Sequence, residues 1–160
     1  MSNSTRVLGI DPGYDRCGVA IIEKDKEEVL LHSECIETEK SNSLSSRLHH
    51  VGKRVEELIK KYRPDACALE KLYFGNNQKT ATSVSEVRGM LLFLAESHNL
   101  SVFEYTPQQI KVAVTGYGRS DKESVIDMVP RLIRIKKEIK YDDEFDAIAI
   151  ALTSLASEKW

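Results

Sequence analysis

The chain has 160 residues, 41% of them hydrophobic, which is enough for one buried core and too few for two full lobes. We expect a single domain spanning residues 1–160. The 23 basic and 25 acidic residues give a formal net charge of −2, so the overall cationic field typical of many nucleic-acid binders is absent. Bound divalent cations would shift this balance toward positive charge.

The sequence shows no sign of export or of a membrane span. No apolar run approaches the roughly 20 residues that a bilayer-spanning helix needs. Residues 1–4 lack the basic start and apolar core of a signal peptide. Cys17, Cys35 and Cys67 are widely spaced within apolar runs, which is typical of small buried side chains in a reducing compartment. We therefore expect a cytoplasmic protein with no membrane partner.

The first forty residues predict three strands joined by short turns. The strands cover residues 6–11, 17–23 and 29–38. A turn at residues 11–13 and a charged turn at residues 24–27 separate them. Turns this short imply an antiparallel meander.

The middle of the chain predicts two long helices with a strand between them. Helical spacing of apolar residues begins at Ser43 and ends before Pro64. A strand at residues 67–70 follows, and then a helix at residues 80–96. Gly89 lies inside that second helix, where glycine costs about 1 kcal/mol relative to alanine, and it suggests close approach to another backbone. A dimer interface is one candidate for that contact, and a core contact inside one subunit explains it as well.

Two capping boxes mark helix starts in the last third of the chain. After a strand at residues 101–105, the first box begins at Thr106 and its helix stops at Gly116. The second box, residues 120–123, opens a helix in which Pro130 predicts a kink or an early stop.

This order of elements describes an α/β fold, a mixed five-stranded sheet with helices on both faces, in the arrangement of the ribonuclease H-like architecture. In that arrangement the first strand is central, and the strand after the first long helix pairs beside it. The last helix, predicted over residues 142–157, packs against the same sheet.

Four carboxylates stand where an apolar strand or helix begins or ends. Asp11 and Glu70 end two strands, while Asp143 and Asp146 share one face at the start of the last helix. Acids buried together are costly unless cations join them. Oxygen ligands without histidine or cysteine select Mg²⁺ or Mn²⁺ over Zn²⁺. We therefore predict a two-metal site in which ions about 4 Å apart support phosphodiester cleavage.

Each acid also has a simpler interpretation. In this interpretation Asp11 only starts a turn with the Pro-Gly pair that follows it, and Asp143 only helps to cap a helix. Asp142 lies four residues before Asp146 and can share its face; we prefer Asp143 as the ligand and Asp142 as the cap. No histidine lies near the acidic motifs in sequence, so we expect no catalytic histidine.

Five short motifs stand in a fixed order along the chain. They are Leu8-Gly9-Ile10-Asp11-Pro12-Gly13, Ala68-Leu69-Glu70-Lys71, Val87-Arg88-Gly89, Val102-Phe103-Glu104-Tyr105 and Asp146-Ala147-Ile148-Ala149-Ile150-Ala151. In this order and spacing the chain resembles RuvC-type Holliday junction resolvases over about residues 6 to 156.

The resemblance implies a homodimeric, magnesium-dependent endodeoxyribonuclease that resolves four-way DNA junctions by paired nicks, leaving 5′-phosphate ends, in recombination and repair. It implies that two magnesium ions occupy each active site, with manganese as a substitute, and that the RuvA and RuvB branch-migration complex is a partner. The family's four catalytic acids correspond to Asp11, Glu70, Asp143 and Asp146.

The resemblance also implies DNA contacts. Lys111 and Lys122 occupy positions of functionally important lysines and suit phosphate contact or transition-state stabilisation; the alternative is solvated helix charge. Tyr73 replaces a phenylalanine that stacks on junction DNA, and a tyrosine ring can stack on a base for about 1–3 kcal/mol. Its alternative is a core position at the end of a strand. Arg119 is expected to track phosphates, as are Lys136, Lys137 and Lys140.

Two positions depart from the family pattern, and other protein classes compete. Tyr14 replaces a small residue, and Pro130 interrupts a usually continuous helix. An actin-like ATPase fragment has a similar first strand, yet this chain lacks a second lobe and a second glycine-rich phosphate motif. A catalytically silent junction-binding protein and other ribonuclease H-like nucleases, including the YqgF-type group, are closer alternatives.

Overall fold

The computed structural model describes residues 4–72 and 78–160. In chain order the elements of this part are β1 (Thr5–Asp11), β2 (Arg16–Lys24), β3 (Glu28–Glu37), α1 (Leu44–Tyr62), β4 (Ala66–Glu70), α2 (Gln78–Ser97), β5 (Ser101–Tyr105), α3 (Pro107–Thr115), α4 (Lys122–Leu132) and α5 (Asp142–Ser157). Every predicted strand and helix is present, and apart from the end of α4 the predicted limits are within two residues of the observed ones.

The five strands form one mixed sheet in the order β3-β2-β1-β4-β5. The first three strands are an antiparallel meander, and β4 and β5 run parallel to β1. Both the central position of β1 and the pairing of β4 beside it are confirmed. Ile10 of β1 pairs with Leu69 of β4. Asp11 and Glu70, the next residue of each strand, therefore lie at the same end of the sheet.

Helices cover both faces of the sheet, as predicted, because strand side chains alternate between two core layers. On one face Val7 packs in a cluster with α3, α4 and α5, and on the other Leu8 packs in a cluster with α1 and α2. Large side chains such as Leu8 and Ile148 are fully buried, and each contributes about 1.5–3 kcal/mol of hydrophobic stabilisation.

Two glycines let α5 lie directly on the sheet. A Cβ atom at Gly9 of β1 would overlap the carbonyl oxygen of Ala147, and one at Gly18 of β2 would overlap the carbonyl oxygen of Asp143. The first turns of α5 therefore approach the strands more closely than any residue with a side chain would permit. By contrast, a Cβ built at Gly89 meets no atom within 4 Å among the described residues, apart from its own helix backbone and chain neighbours. Within this part of one chain the predicted close approach is therefore wrong.

Two predicted helix caps shift by one residue. The helix α4 is capped by Asp121, whose side chain accepts a 2.8 Å hydrogen bond from the Ser124 backbone N–H, and not by Ser120. The helix α5 is capped by Tyr141 without a side-chain hydrogen bond, so the capping role predicted for Asp142 is wrong. The acidic first turn favours this helix start by its charge, because the N-terminal end of a helix dipole is positive.

Pro130 lies in the last turn of α4, and the helix continues only to Leu132. This agrees with the predicted early stop. Cys17 and Cys67 are buried, Cys35 is half-buried, and all three are free thiols. Within the described ranges, none of the helices combines the length and the apolar character that crossing a membrane requires.

Candidate active site

Alternation along the strands places Asp11 and Glu70 on the face of the sheet that α5 covers. Gly9 contacts α5, and Ala68 belongs to the same core layer. Asp11 lies two residues beyond Gly9, and Glu70 lies two residues beyond Ala68, so both carboxylates point to that side. Because β4 runs parallel to β1 beside it, the two acids share one end of the sheet.

The start of α5 brings the other two acids to the same place. In the β1–β2 register Asp11 pairs with Gly18, and the backbone of Asp143 lies against Gly18. Asp146 follows three residues later on the same face of the helix. Three separate segments of the chain thus converge on the end of β1.

Burial and repulsion from the neighbouring acids both affect the pKa of Asp11. Burial raises the pKa of Asp11 well above its usual value of 3.8. The negative charges of neighbouring acids raise this pKa further, and these neighbours are Asp146, Asp143 and Glu70. A carboxylate in this position therefore favours a nearby cation.

Lys122, the first residue of α4, supplies positive charge to the site. Its Nζ lies 3.3 Å from Asp146 Oδ2 and 3.9 Å from Asp142 Oδ2. Burial lowers the pKa of Lys122, but the charge and hydrogen bond of Asp146 outweigh this effect and the net shift is upward. Lys122 also lowers the pKa of Asp11, so it offsets part of the acids' repulsion.

Lys111 lies on α3 and reaches the same site. With Glu70, Lys122 and Asp146 it lines a cavity of about 210 Å³, whose remaining wall is largely apolar. Burial raises the pKa of Glu70 and Asp146 raises it further, whereas Lys122 and Lys111 lower it. The structure therefore brings both predicted lysines to the predicted acids.

Asp143 is engaged by Arg16, a residue that the sequence did not single out. Arg16 Nε lies 3.2 Å from Asp143 Oδ2 at the start of β2. The β1–β2 hairpin carried a signal for this contact. Asp11 pairs with Gly18, and Arg16 lies two residues before Gly18 in the chain. Arg16 therefore points to the same face as Gly18, just past the end of β1.

Asp142 and Asp143 differ in their surroundings. The Asp143 side chain is 24% exposed, and its charge raises the pKa of Asp11. The Asp142 side chain is 61% exposed and faces Lys122. Asp143 is thus the more enclosed of the two.

The chemistry of these donors fits hard divalent cations. All four acids offer carboxylate oxygens, the ligands that Mg²⁺ and Mn²⁺ prefer. Within residues 4–72 and 78–160 no three acidic, histidine or cysteine side chains are already gathered closely enough to hold one ion. Asp143 is paired with Arg16 and Asp146 with Lys122, so two of the four acids already have cationic partners.

The other predicted DNA contacts are placed less closely. Tyr73 lies outside the described residues. Arg119 is exposed in the loop between α3 and α4, and Lys136 is exposed after α4. Lys137 pairs with buried Glu144 and donates a 2.6 Å hydrogen bond to a backbone carbonyl of β3, so it is engaged within the fold.

Comparison with known proteins gives consistent matches in sequence and in fold. The family model described as "Crossover junction endodeoxyribonuclease RuvC" matches residues 7–154. The protein of that name from Finegoldia magna is 39% identical over 156 residues, covering 97% of this chain and 95% of the relative. The one from Petrotoga mobilis is 42% identical over 146 residues, covering 91% and 90%. The fold superposes with a TM-score of 0.88 on T. thermophilus RuvC in complex with Holliday junction substrate, at 31% identity, covering 95% of this chain and 93% of that one.

Proposed function

Because this chain belongs to the RuvC family of crossover junction endodeoxyribonucleases and is a Holliday junction resolvase, we propose that it nicks junction DNA with magnesium ions held by four carboxylates. These carboxylates are Asp11, Glu70, Asp143 and Asp146. The observation that carries the proposal is the convergence of the other three acids on the end of β1, where Asp11 lies. Burial raises the pKa of Asp11, and the negative charges of these acids raise it further, so the group is short of positive charge. Residues 1–160 form the single nuclease domain that carries this site.

Each carboxylate has a distinct place in the proposed site. Asp11 interacts with all three other acids and is the candidate shared ligand of two ions. Glu70 approaches from β4, and Asp146 from α5. Asp143 is preferred to Asp142 because it is the more enclosed side chain and because it acts on Asp11. When bound, divalent magnesium would supply Lewis acidity and lower the pKa of a water molecule. Attack of this water on phosphorus breaks the P–O3′ bond and leaves a 5′-phosphate and a 3′-hydroxyl.

The proposed role of Lys111 and Lys122 is to stabilise negative charge on the phosphodiester. The Lys122 ammonium is held beside Asp146, and Lys111 lines the same cavity next to Glu70. Both positive charges lie where negative charge develops on the phosphate during hydrolysis. An exposed Arg119 on the adjoining loop extends this surface toward the flanking backbone.

Paired nicking requires two active sites, and we propose that a homodimer supplies them. A two-fold symmetric dimer presents identical sites to two strands of a four-way junction, whose own symmetry matches. The exposed side of α2, which carries Gly89 and Phe93, is the proposed contact surface. A branch-migration complex of the RuvA and RuvB type is the proposed partner that delivers the junction.

Substitution of Asp11 tests the site. In Asp11→Asn, magnesium-dependent cleavage of a mobile four-way junction should fall by at least about a hundredfold, because a group that acts in the transition state is lost. Junction binding measured by gel shift should stay near that of the unmodified protein.

A matched pair of variants controls for local charge. Asp143→Asn should lose cleavage like Asp11→Asn, whereas Asp142→Asn removes the same charge from an exposed neighbour and should retain it. A linear duplex and an RNA–DNA hybrid serve as alternative substrates. Retained cleavage in Asp11→Asn, or equal cutting of all three substrates, would reject the proposed site or its specificity.

A further inference from the structure

Beside Asp143 lies a group of side chains, three cations and one tyrosine, that the proposed chemistry does not use. We call this group the Arg16 cluster; its members are Arg16, Lys40, Lys140 and Tyr141. Arg16, Lys40 and Tyr141 line a surface cavity of about 330 Å³ together with Asp15, Glu37 and Thr38.

Tyr141 organises the cluster. The Arg16 Cζ atom and the Lys140 Nζ atom each lie 4.6 Å from the centroid of the Tyr141 ring, within the range of a cation–π interaction. The Tyr141 hydroxyl donates a 2.7 Å hydrogen bond to Glu37 Oε1, which anchors the ring on β3. Two positive charges are therefore held against the same ring before any ligand arrives.

The carboxylates near the cluster already have partners. Asp15 is paired with Arg47 of α1, and Glu37 accepts the hydrogen bond from Tyr141. Asp143 faces Arg16 through the Arg16 Nε atom. A guanidinium carries five N–H donors, which is more than one carboxylate can accept, and 47% of the Arg16 side chain is exposed, so Arg16 can also reach an anion in solvent.

The sheet order places this cluster across the acids from the lysines. Lys111 and Lys122 share a cavity with Glu70 of β4, on one side of β1. Arg16 and Glu37 belong to β2 and β3, on the other side of β1. A polynucleotide strand that crosses the acids therefore meets positive charge both before and after the site of cleavage.

We propose that the Arg16 cluster binds a backbone phosphate that flanks the scissile phosphate on the cleaved strand. The inference rests on the proposed function, since it assumes that the strand passes over Asp11. Arg16 makes a forked contact with the phosphate oxygens, and Lys140 adds a second charge. The Arg16 cluster on one side and Lys111 and Lys122 on the other together define the path of the strand across the acids.

The salt dependence of junction binding tests this subsite directly. In an Asp11→Asn background, which prevents cleavage, the dissociation constant for a four-way junction is measured over a series of NaCl concentrations. The slope of log K against log [salt] should become shallower by about 0.7–0.9 in Arg16→Ala, because each phosphate contact releases counterions. Lys140→Ala should give a change of the same sign, and Arg16→Lys should keep most of the slope.

Lys60→Ala is the matched control, because Lys60 is an exposed lysine of α1 on the opposite face of the sheet. It should leave the slope unchanged. An unchanged slope in both Arg16→Ala and Lys140→Ala would overturn the inference and leave Arg16 as a residue that only positions Asp143. That result is distinguishable from failure of the proposed function, which would appear as cleavage by Asp11→Asn itself.

Discussion

Two carboxylates of the acidic site are each paired with a cation from another element. Asp146 is held by Lys122 of α4, and Asp143 is held by Arg16 of β2. These pairs offset repulsion among the carboxylates, which would otherwise oppose the packing of α5 on the sheet. A bound divalent cation would compete with Arg16 and Lys122 for these two carboxylates. The same acids therefore serve the stability of the fold without a metal and can act as ligands when one binds.

A second charged group, distant from the acids, gives the fold an acid-sensitive contribution. Burial raises the pKa of Glu34 on β3, but the nearby His32 side chain and two hydrogen bonds from Arg54 outweigh it and lower this pKa to about 2. The pKa in the unfolded chain is 4.5, so ionised Glu34 stabilises the fold fully above that pH. The stabilisation is lost as the pH falls from 4.5 toward 2. Because Arg54 is 39% exposed, solvent screening limits the effect to about 1–2 kcal/mol.

Urea unfolding of Glu34→Gln measures this contribution. At pH 7 the variant should unfold with a free energy about 1–2 kcal/mol lower than that of the unmodified protein. The difference should narrow at about pH 3, where much of the contribution of Glu34 has been lost. A difference of equal size at both pH values would show that the carboxylate charge is not the cause.

Among the elements, α5 is the one whose seating on the sheet decides the geometry of the acids. We expect Gly18→Ala to displace its first turn, because the added methyl group would meet the carbonyl oxygen of Asp143. Cleavage should fall by at least about tenfold, since small misplacements of catalytic groups are costly. The free energy of unfolding should also fall, by about 1–3 kcal/mol, as in other overpacked sites.

Gly89→Ala is the control for this prediction. It lies in a helix interior with open space around its Cα, so alanine should raise the stability of the chain by about 0.5–1 kcal/mol, an effect opposite in sign to that of Gly18→Ala. The two variants are compared by urea unfolding. Equal effects of the two substitutions would contradict the close seating of α5 at Gly18.

The sequence predicted the elements well because their signals are local. Apolar periodicity and caps such as Thr106 need only neighbouring residues, and the alternation of side chains along a single strand is equally local. The approach of α5 at Gly18 depends on how two distant segments pack, and the chain order alone does not reveal it. Gly89 shows the converse, because a helix glycine looks the same in sequence whether or not a backbone lies beside it.

At the scale of the whole molecule, charge is distributed in a way that the net value of −2 conceals. The acids converge at one end of the sheet, and cations from four other elements or loops surround them. A polyanion therefore meets positive charge around a centre that itself needs cations. Overall charge alone would have argued against a nucleic-acid ligand, and the arrangement of the charges argues for one.

The proposed dimer depends on a surface far from that centre. Phe93 of α2 is 71% exposed, and it borders a groove of about 470 Å³ between α1 and α2 with Leu48, Met90 and Leu94. An exposed aromatic next to an apolar groove is costly in water and typical of an interface. We expect Phe93→Lys to convert the dimer into monomers in sedimentation experiments while the fold remains intact.

Val29→Lys provides the matched control, since Val29 is also an exposed apolar residue, at 50%, but lies on the edge strand β3 away from the groove. On a plasmid that extrudes a cruciform, a dimer cuts both strands of the junction in one encounter and releases linear DNA. Phe93→Lys should instead accumulate nicked circles, because each monomer carries one site, whereas Val29→Lys should still produce linear DNA. If Phe93→Lys remained dimeric and released linear product, the α1–α2 groove would not be the subunit interface, and the second active site would have to be supplied through another surface.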